Sequence, residues 1–275
     1  PMLTFQEPSN ATYGAYNFGF SDVASDFAGY AGQSSNRVVD AIGYSTSSAG
    51  GPDGGTDGGL TNCIPQVVAG SVATQHGNTS VPVPSFAYTA PAVQDALLVV
   101  HFDDGSGGTP PTAVTYGSQA MTLLTTTADA NNGKQQVWYL VAPAAGAHTL
   151  AITTTGANVP YNVEVETFEG VKQSLPIGAV SSAHTTSYST QYTTSLTTQH
   201  VNGLMADFLS FGSGDSPMVT LGSGQTESFY LVAAPSDALS SVLPAYVPTT
   251  YGQAYTFQWP EVCSSTSVEI VSWCE

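Results

Sequence analysis

The chain has 275 residues, of which 41% are hydrophobic and 10% aromatic, enough to bury a substantial core. Only 8% are charged, against roughly 25% in ordinary domains, and three Lys and Arg (Arg37, Lys134, Lys172) stand against twenty Asp and Glu for a net charge of −17. That balance leaves no basic surface for nucleic acid or for an anionic membrane, and no apolar run reaches the roughly eighteen residues of a membrane span.

The chain opens on Pro1-Met-Leu-Thr-Phe-Gln-Glu-Pro8, which lacks the basic and apolar regions of a signal peptide. Pro1 reads as the second residue of a chain made in the cytoplasm, its initiator Met removed; a tag scar is the alternative. Residues 1–65 interleave aromatics with Gly, as in Tyr13-Gly-Ala-Tyr-Asn-Phe-Gly-Phe20, and 49–59 are almost entirely Gly, Asp, Pro and Thr. This composition predicts an irregular N-terminal arm.

From residue 66 to 275 short β-favouring runs alternate with Gly, Pro, Asn and Asp, and no stretch shows helical periodicity. Strands are expected over 67–74, 80–89, 96–102, 113–124, 135–142, 147–154, 161–168, 179–187, 191–198, 203–210, 218–221, 227–233, 252–259 and 267–273. A spacing of roughly ten residues without intervening helices predicts an all-β, antiparallel sandwich. Tyr161-Asn-Val-Glu-Val-Glu-Thr167 alternates, as a strand with one wet face should.

One pattern occurs twice. Asp95 to Phe102 runs into Gly105-Ser-Gly-Gly108, then Val114-Thr-Tyr-Gly-Ser-Gln119 and Val137-Trp-Tyr-Leu-Val-Ala-Pro143. Gly203 to Phe211 runs into Gly212-Ser-Gly-Asp215, then Val219-Thr-Leu-Gly-Ser-Gly-Gln225 and Phe229-Tyr-Leu-Val-Ala-Ala-Pro235. The two halves are expected to face each other within one sandwich. The second, interrupted by Asp207 and Ser210, should form the wetter sheet.

The succession Leu97-Leu-Val-Val100, Val114 to Gln119, Val137 to Leu150 and Thr167-Phe-Glu-Gly-Val171 resembles a family of jelly-roll-like β-sandwich modules of bacterial extracellular proteins and phage virion proteins. The resemblance covers 66–275, with its Trp-Tyr-Leu-Val-Ala-Pro strand as the most specific part. It implies a structural or adhesive module, and it supplies no catalytic motif to transfer.

Glu164 and Glu166 share one side of a strand about 7 Å apart, near the spacing of an inverting glycosidase, yet alternation with Val163 and Val165 accounts for them as a solvated face. Asp103-Asp104 and Pro52 to Gly59 could offer oxygens to Ca²⁺, but Asp beside Gly is ordinary turn chemistry. His76, His101, His148, His184 and His200 show no zinc spacing. Gly214-Asp-Ser216 has the look of a nucleophile block but lies in a turn before Pro217 with no placed His. Tyr188, Tyr192, Tyr246, Tyr251 and Tyr255 are candidate glycan-contact aromatics, against the ordinary use of Tyr as a strand former.

Cys63, Cys263 and Cys274 leave an odd count. A Cys263–Cys274 bridge would staple the last hairpin, and a Cys63 bridge to either would pin the N-terminal region. The third thiol could link subunits; three reduced, buried thiols are the alternative.

These readings lead to a non-catalytic structural protein of a virus particle, a phage decoration, fibre or collar component requiring no metal or cofactor. Few Lys and Arg leave few sites for trypsin-like proteases, which suits an exposed extracellular life; biased genomic composition is the alternative. The expected partners are capsid or tail proteins of the same particle, further copies in a homo-oligomer, and cell-surface glycan. The rivals are a secreted adhesin or carbohydrate-binding module, and a glycan hydrolase using Glu164 or Glu166.

Overall fold

A computed structural model of the chain describes residues 63–77, 83, 85–104, 109–128, 133–155, 161–212, 218–232 and 236–275. The chain divides into units 1–61 and 62–275, and the arm expected over 1–65 lies, up to residue 62, outside the described residues.

No helix occurs among the described residues. The first half contributes β1 (Gln66–Val67), β2 (Ala73–Gly77), β3 (Phe86–Ala90), β4 (Leu97–Asp104), β5 (Ala113–Tyr116), β6 (Gln119–Ala120), β7 (Thr122–Ala128), β8 (Lys134–Val141), β9 (Gly146–Thr153) and β10 (Tyr161–Glu169). The second contributes β11 (Ile177–His184), β12 (Ser189–Thr197), β13 (Gly203–Gly212), β14 (Val219–Leu221), β15 (Thr226–Leu231), β16 (Asp237–Ala245) and β17 (Thr250–Ile270). All pairings are antiparallel, and the expected all-β sandwich is the fold. The expected strand 113–124 is broken by the Gly117-Ser118 turn, where Gly117 takes φ +58°.

Three sheets make four layers. A four-stranded sheet, β3-β9-β5-β6, covers a six-stranded one, β1-β10-β4-β8-β7, with β2 also on β10. The seven-stranded sheet holds β11-β17-β13-β16-β15, with β12 and β14 also on β17. It covers itself because β17 serves two layers. Thr250 to Phe257 pair β12 and β14, whereas Val262 to Ile270 pair β13 and β11. The change of layer falls at Gln258–Glu261, with Trp259 and Pro260 exposed.

Alternation along each strand feeds three cores. Leu98, Val100 and Phe102 pack with Trp138, Val163, Tyr88 and Tyr116 between the first two layers. Leu97, Val99, Val137 and Phe168 meet Leu204, Ala206, Phe208 and Val268 between the two middle layers. Leu209, Phe211 and Leu239 meet Tyr192, Tyr255 and Phe257 under the outer layer of the second half. The middle strands β4, β10 and β13 are therefore buried on both faces.

The halves do face each other, but each also carries its own covering layer. By pairing, β8 lies beside β4 as β16 lies beside β13, so β15 with its Phe-Tyr-Leu corresponds to β7. The repeated aromatic-Leu-Val run thus sits on non-equivalent strands. Strand β16 was not anticipated, and β17 unites the expected 252–259 with much of 267–273.

Candidate functional site

Two expected wet surfaces are dry. On β10 the register sets Glu164 opposite His101, Glu166 opposite Val99 and Asn162 opposite Asp103 of β4. All these side chains point into the seam between the two middle layers rather than to solvent, which corrects the solvated-face reading of Glu164 and Glu166. Asp207 and Ser210 of β13 are likewise buried, so these two residues do not mark a wet face of β13.

The seam places His101 Nδ1 3.2 Å from Glu164 Oε2, each side chain 1% exposed. The His101 ring packs on Phe208 with centroids 5.6 Å apart. With so few Lys and Arg in the chain, hydroxyls and amides serve the acids. Ser210 and Ser236 donate to Asp103 Oδ2 at 2.6 and 2.8 Å, and Ser228 donates to Glu166 Oε1 at 2.9 Å. The Asn162 amide donates to the Ser236 carbonyl at 2.8 Å. Gln135 ties the layers together, donating to the Phe208 carbonyl and accepting from Thr266, both at 3.0 Å.

Burial holds the Glu164 carboxyl well above the ordinary range. Burial, then the neighbouring Glu164 charge, pushes Glu166 up to about 7, against the pull of the Ser228 and Ser240 hydroxyls and His101. These groups retain protons at pH values where exposed carboxylates have lost them. The His101–Glu164 contact is thus a close approach of two buried titratable groups, with the carboxyl held toward its protonated form by burial.

A second polar network lies on the other face of β13. Tyr255 and Ser267 each donate to Asp207 at 2.6 Å, and burial pushes Asp207 up to about 6 although both hydrogen bonds oppose it. Tyr192 shares a hydrogen bond with Ser265 at 2.8 Å. Tyr192 and Tyr255 are therefore core residues, a correction to their reading as glycan contacts, because a stacked sugar needs an open ring face. Tyr188 and Tyr246 are exposed, at 71% and 59%. Tyr251 is half-buried, its hydroxyl donating to the Val247 carbonyl at 3.1 Å. Trp259, 56% exposed, belongs with the open aromatics and was missed. Its place before Pro260, in a run otherwise reading as a strand, was the available signal.

Of the pairings left open, the structure contains Cys63–Cys274, with Cα atoms 5.7 Å apart. Cys263 is buried and burial pushes its thiol up, so it is not placed to link subunits. Asp103 and Asp104 are also buried; Asp104 accepts the Lys134 backbone N–H at 2.5 Å. The histidines are not assembled: His200 lies 3.3 Å from Glu269, and His148 packs on Tyr116. Pro52 to Gly59 and Gly214-Asp-Ser216 lie outside the described residues.

One edge of the seam opens into a cleft of about 490 Å³ between β1 and the β15–β16 pair. Its walls are mainly apolar, including Ile64, Val67, Leu204, Val242 and Pro244, with Glu227, Ser228 and Tyr246 among its other residues. Ser228 thus touches the cleft and Glu166 together. The arrangement offers a buried row of acids served by hydroxyls and an adjoining open cleft that can bind a ligand. Glu164 and Glu166 are not arranged as a glycosidase pair, which must reach a sugar across open space. In comparisons with protein-family models, curated proteins and solved structures, nothing matches this chain.

Proposed function

We propose that the chain is a non-catalytic structural protein of a virus particle, a decoration, fibre or collar component that assembles on capsid or tail and projects outward. The observation that carries this reading is the polarity of the folded unit. The Cys63–Cys274 bridge ties its first and last residues at one pole, beside Ile64, Val171 and Ile270. The opposite pole, where β4, β7, β13 and β15 end, presents the exposed Tyr188, Met218 and Trp259. An internal tie at one pole and open aromatic rings at the other suit a projecting element. The surface poor in Lys and Arg and the sequence resemblance support the same reading.

Quantitative mass spectrometry of purified particles tests it. The chain should be present in fixed copy number and should remain with the particle through density-gradient purification. Its absence from particles, with recovery in a secreted fraction, would favour the second reading, an extracellular adhesin or carbohydrate-binding module. The open rings of Tyr188, Tyr246 and Trp259 are the observation that keeps that reading in play.

A further inference from the structure

We infer that the cleft between β1 and β15, together with its lip Val201, Tyr246 and Val247, is the surface by which this chain docks a short apolar segment, flanked by basic residues, of an assembly partner. The inference deepens the assembly role proposed above and rests on it.

The apolar lip is continuous with the cleft. The Asn202 N–H donates to the Tyr246 carbonyl at 3.2 Å, which sets Val201 beside Tyr246 and Val247 at the end of β16. All three are exposed, and Tyr246 also lines the cleft. Exposed apolar residues that adjoin one another and an apolar cleft mark a contact site. Scattered single apolar residues would not.

Charge decides the kind of partner. Among the described residues no Lys or Arg lines the cleft; their charged wall residue is Glu227, exposed on β15, and Glu166 lies behind Ser228. A second copy would bring the same acidic wall to this cleft, so a basic segment complements the exposed Glu227 better than a copy of this chain does. The mode of capture follows from β15. Its pairing with β16 shifts register between Glu227 and Phe229, and the extra residue, Ser228, turns its hydroxyl to Glu166. A bulge of this kind breaks the regular edge on which a strand could be added. The occupant is therefore held by side-chain burial against Val67, Leu204 and Val242, with a Lys or Arg at Glu227.

A library of random short peptides displayed on a carrier, selected on the immobilised full chain, tests this directly. Selected peptides should pair aromatic or aliphatic residues with Lys or Arg. They should protect the β15 and Val67–Val72 amides from hydrogen exchange. They should also bind Tyr246→Ser and Glu227→Lys at least about tenfold more weakly, with Glu227→Gln intermediate. Both positions are exposed, so folding is checked by an unchanged melting temperature. The inference is overturned if no such peptides are selected, if they bind the two variants as well as the parent, or if light scattering shows this face pairing two copies. Particle composition decides the assembly reading separately, so the two can fail independently.

Discussion

His101 Nδ1 and Glu164 Oε2 lie 3.2 Å apart on adjacent strands, sealed between two sheets that each have a covering layer of their own. The second half reaches this face of β4 at two places: Phe208 packs on the His101 ring, and Ser210 and Ser236 donate to Asp103 two residues along. Burying acids at such a seam ties the stability of the fold to pH.

Stability should fall as the pH rises from mildly acidic to mildly alkaline. Glu166 rises from 4.5 to about 7 and Asp207 from 3.8 to about 6 on folding. A raised carboxyl contributes fully below its unfolded value, and that contribution is lost as the pH climbs to the folded one. For Glu166 the difference amounts to about 3 kcal/mol. Calorimetry between pH 4 and 9 should show the highest melting temperature near pH 4–5 and a decline through about pH 7. A melting temperature that is flat or rises with pH would count against it.

Removing the ionisation while keeping the shape should help at alkaline pH. Glu166→Gln should gain about 1–3 kcal/mol at pH 8 and flatten the pH profile. His101→Ala, which leaves Glu164 without its partner and opens space beside Phe208, should cost about 3–5 kcal/mol. Urea unfolding of both variants at two pH values measures these differences.

The tyrosines should separate into two classes. Tyr255→Phe removes the 2.6 Å donor to Asp207 and should cost about 1–3 kcal/mol. Tyr188→Ala, on the surface, should stay within about 0.5 kcal/mol of the parent. Thermal unfolding distinguishes them.

Reducing the Cys63–Cys274 bridge releases a closure spanning 211 residues and should lower stability by about 2–5 kcal/mol. Cys263 should resist thiol reagents until the fold opens. Non-reducing electrophoresis should show no disulfide-linked multimers; multimers that collapse on reduction would restore an intersubunit role for a cysteine.

The fold class was legible because Gly- and Pro-punctuated β runs without helical periodicity leave few alternatives. Layering was not. Glu164-Val-Glu166 alternates equally whether its polar side meets water or another polar sheet, and local sequence cannot separate the two. The distinguishing signal lay far away, in Ser240-Ser241 and Ser264-Ser-Thr-Ser267. These runs of small hydroxyl residues within strands serve buried acids such as Asp207 in a chain with almost no Lys or Arg. The cleft was illegible for a related reason, since Val67, Leu204 and Val242 converge only when the two sheets stack.

Carbon-detected NMR titration of the Glu side-chain carboxyls tests the sealed seam most directly. The account predicts that Glu166 titrates near 7 and Glu164 well above the ordinary carboxyl range. Ordinary midpoints near 4.5 for both residues would mean that this face of β10 is wet, and would contradict the stacking of the two halves.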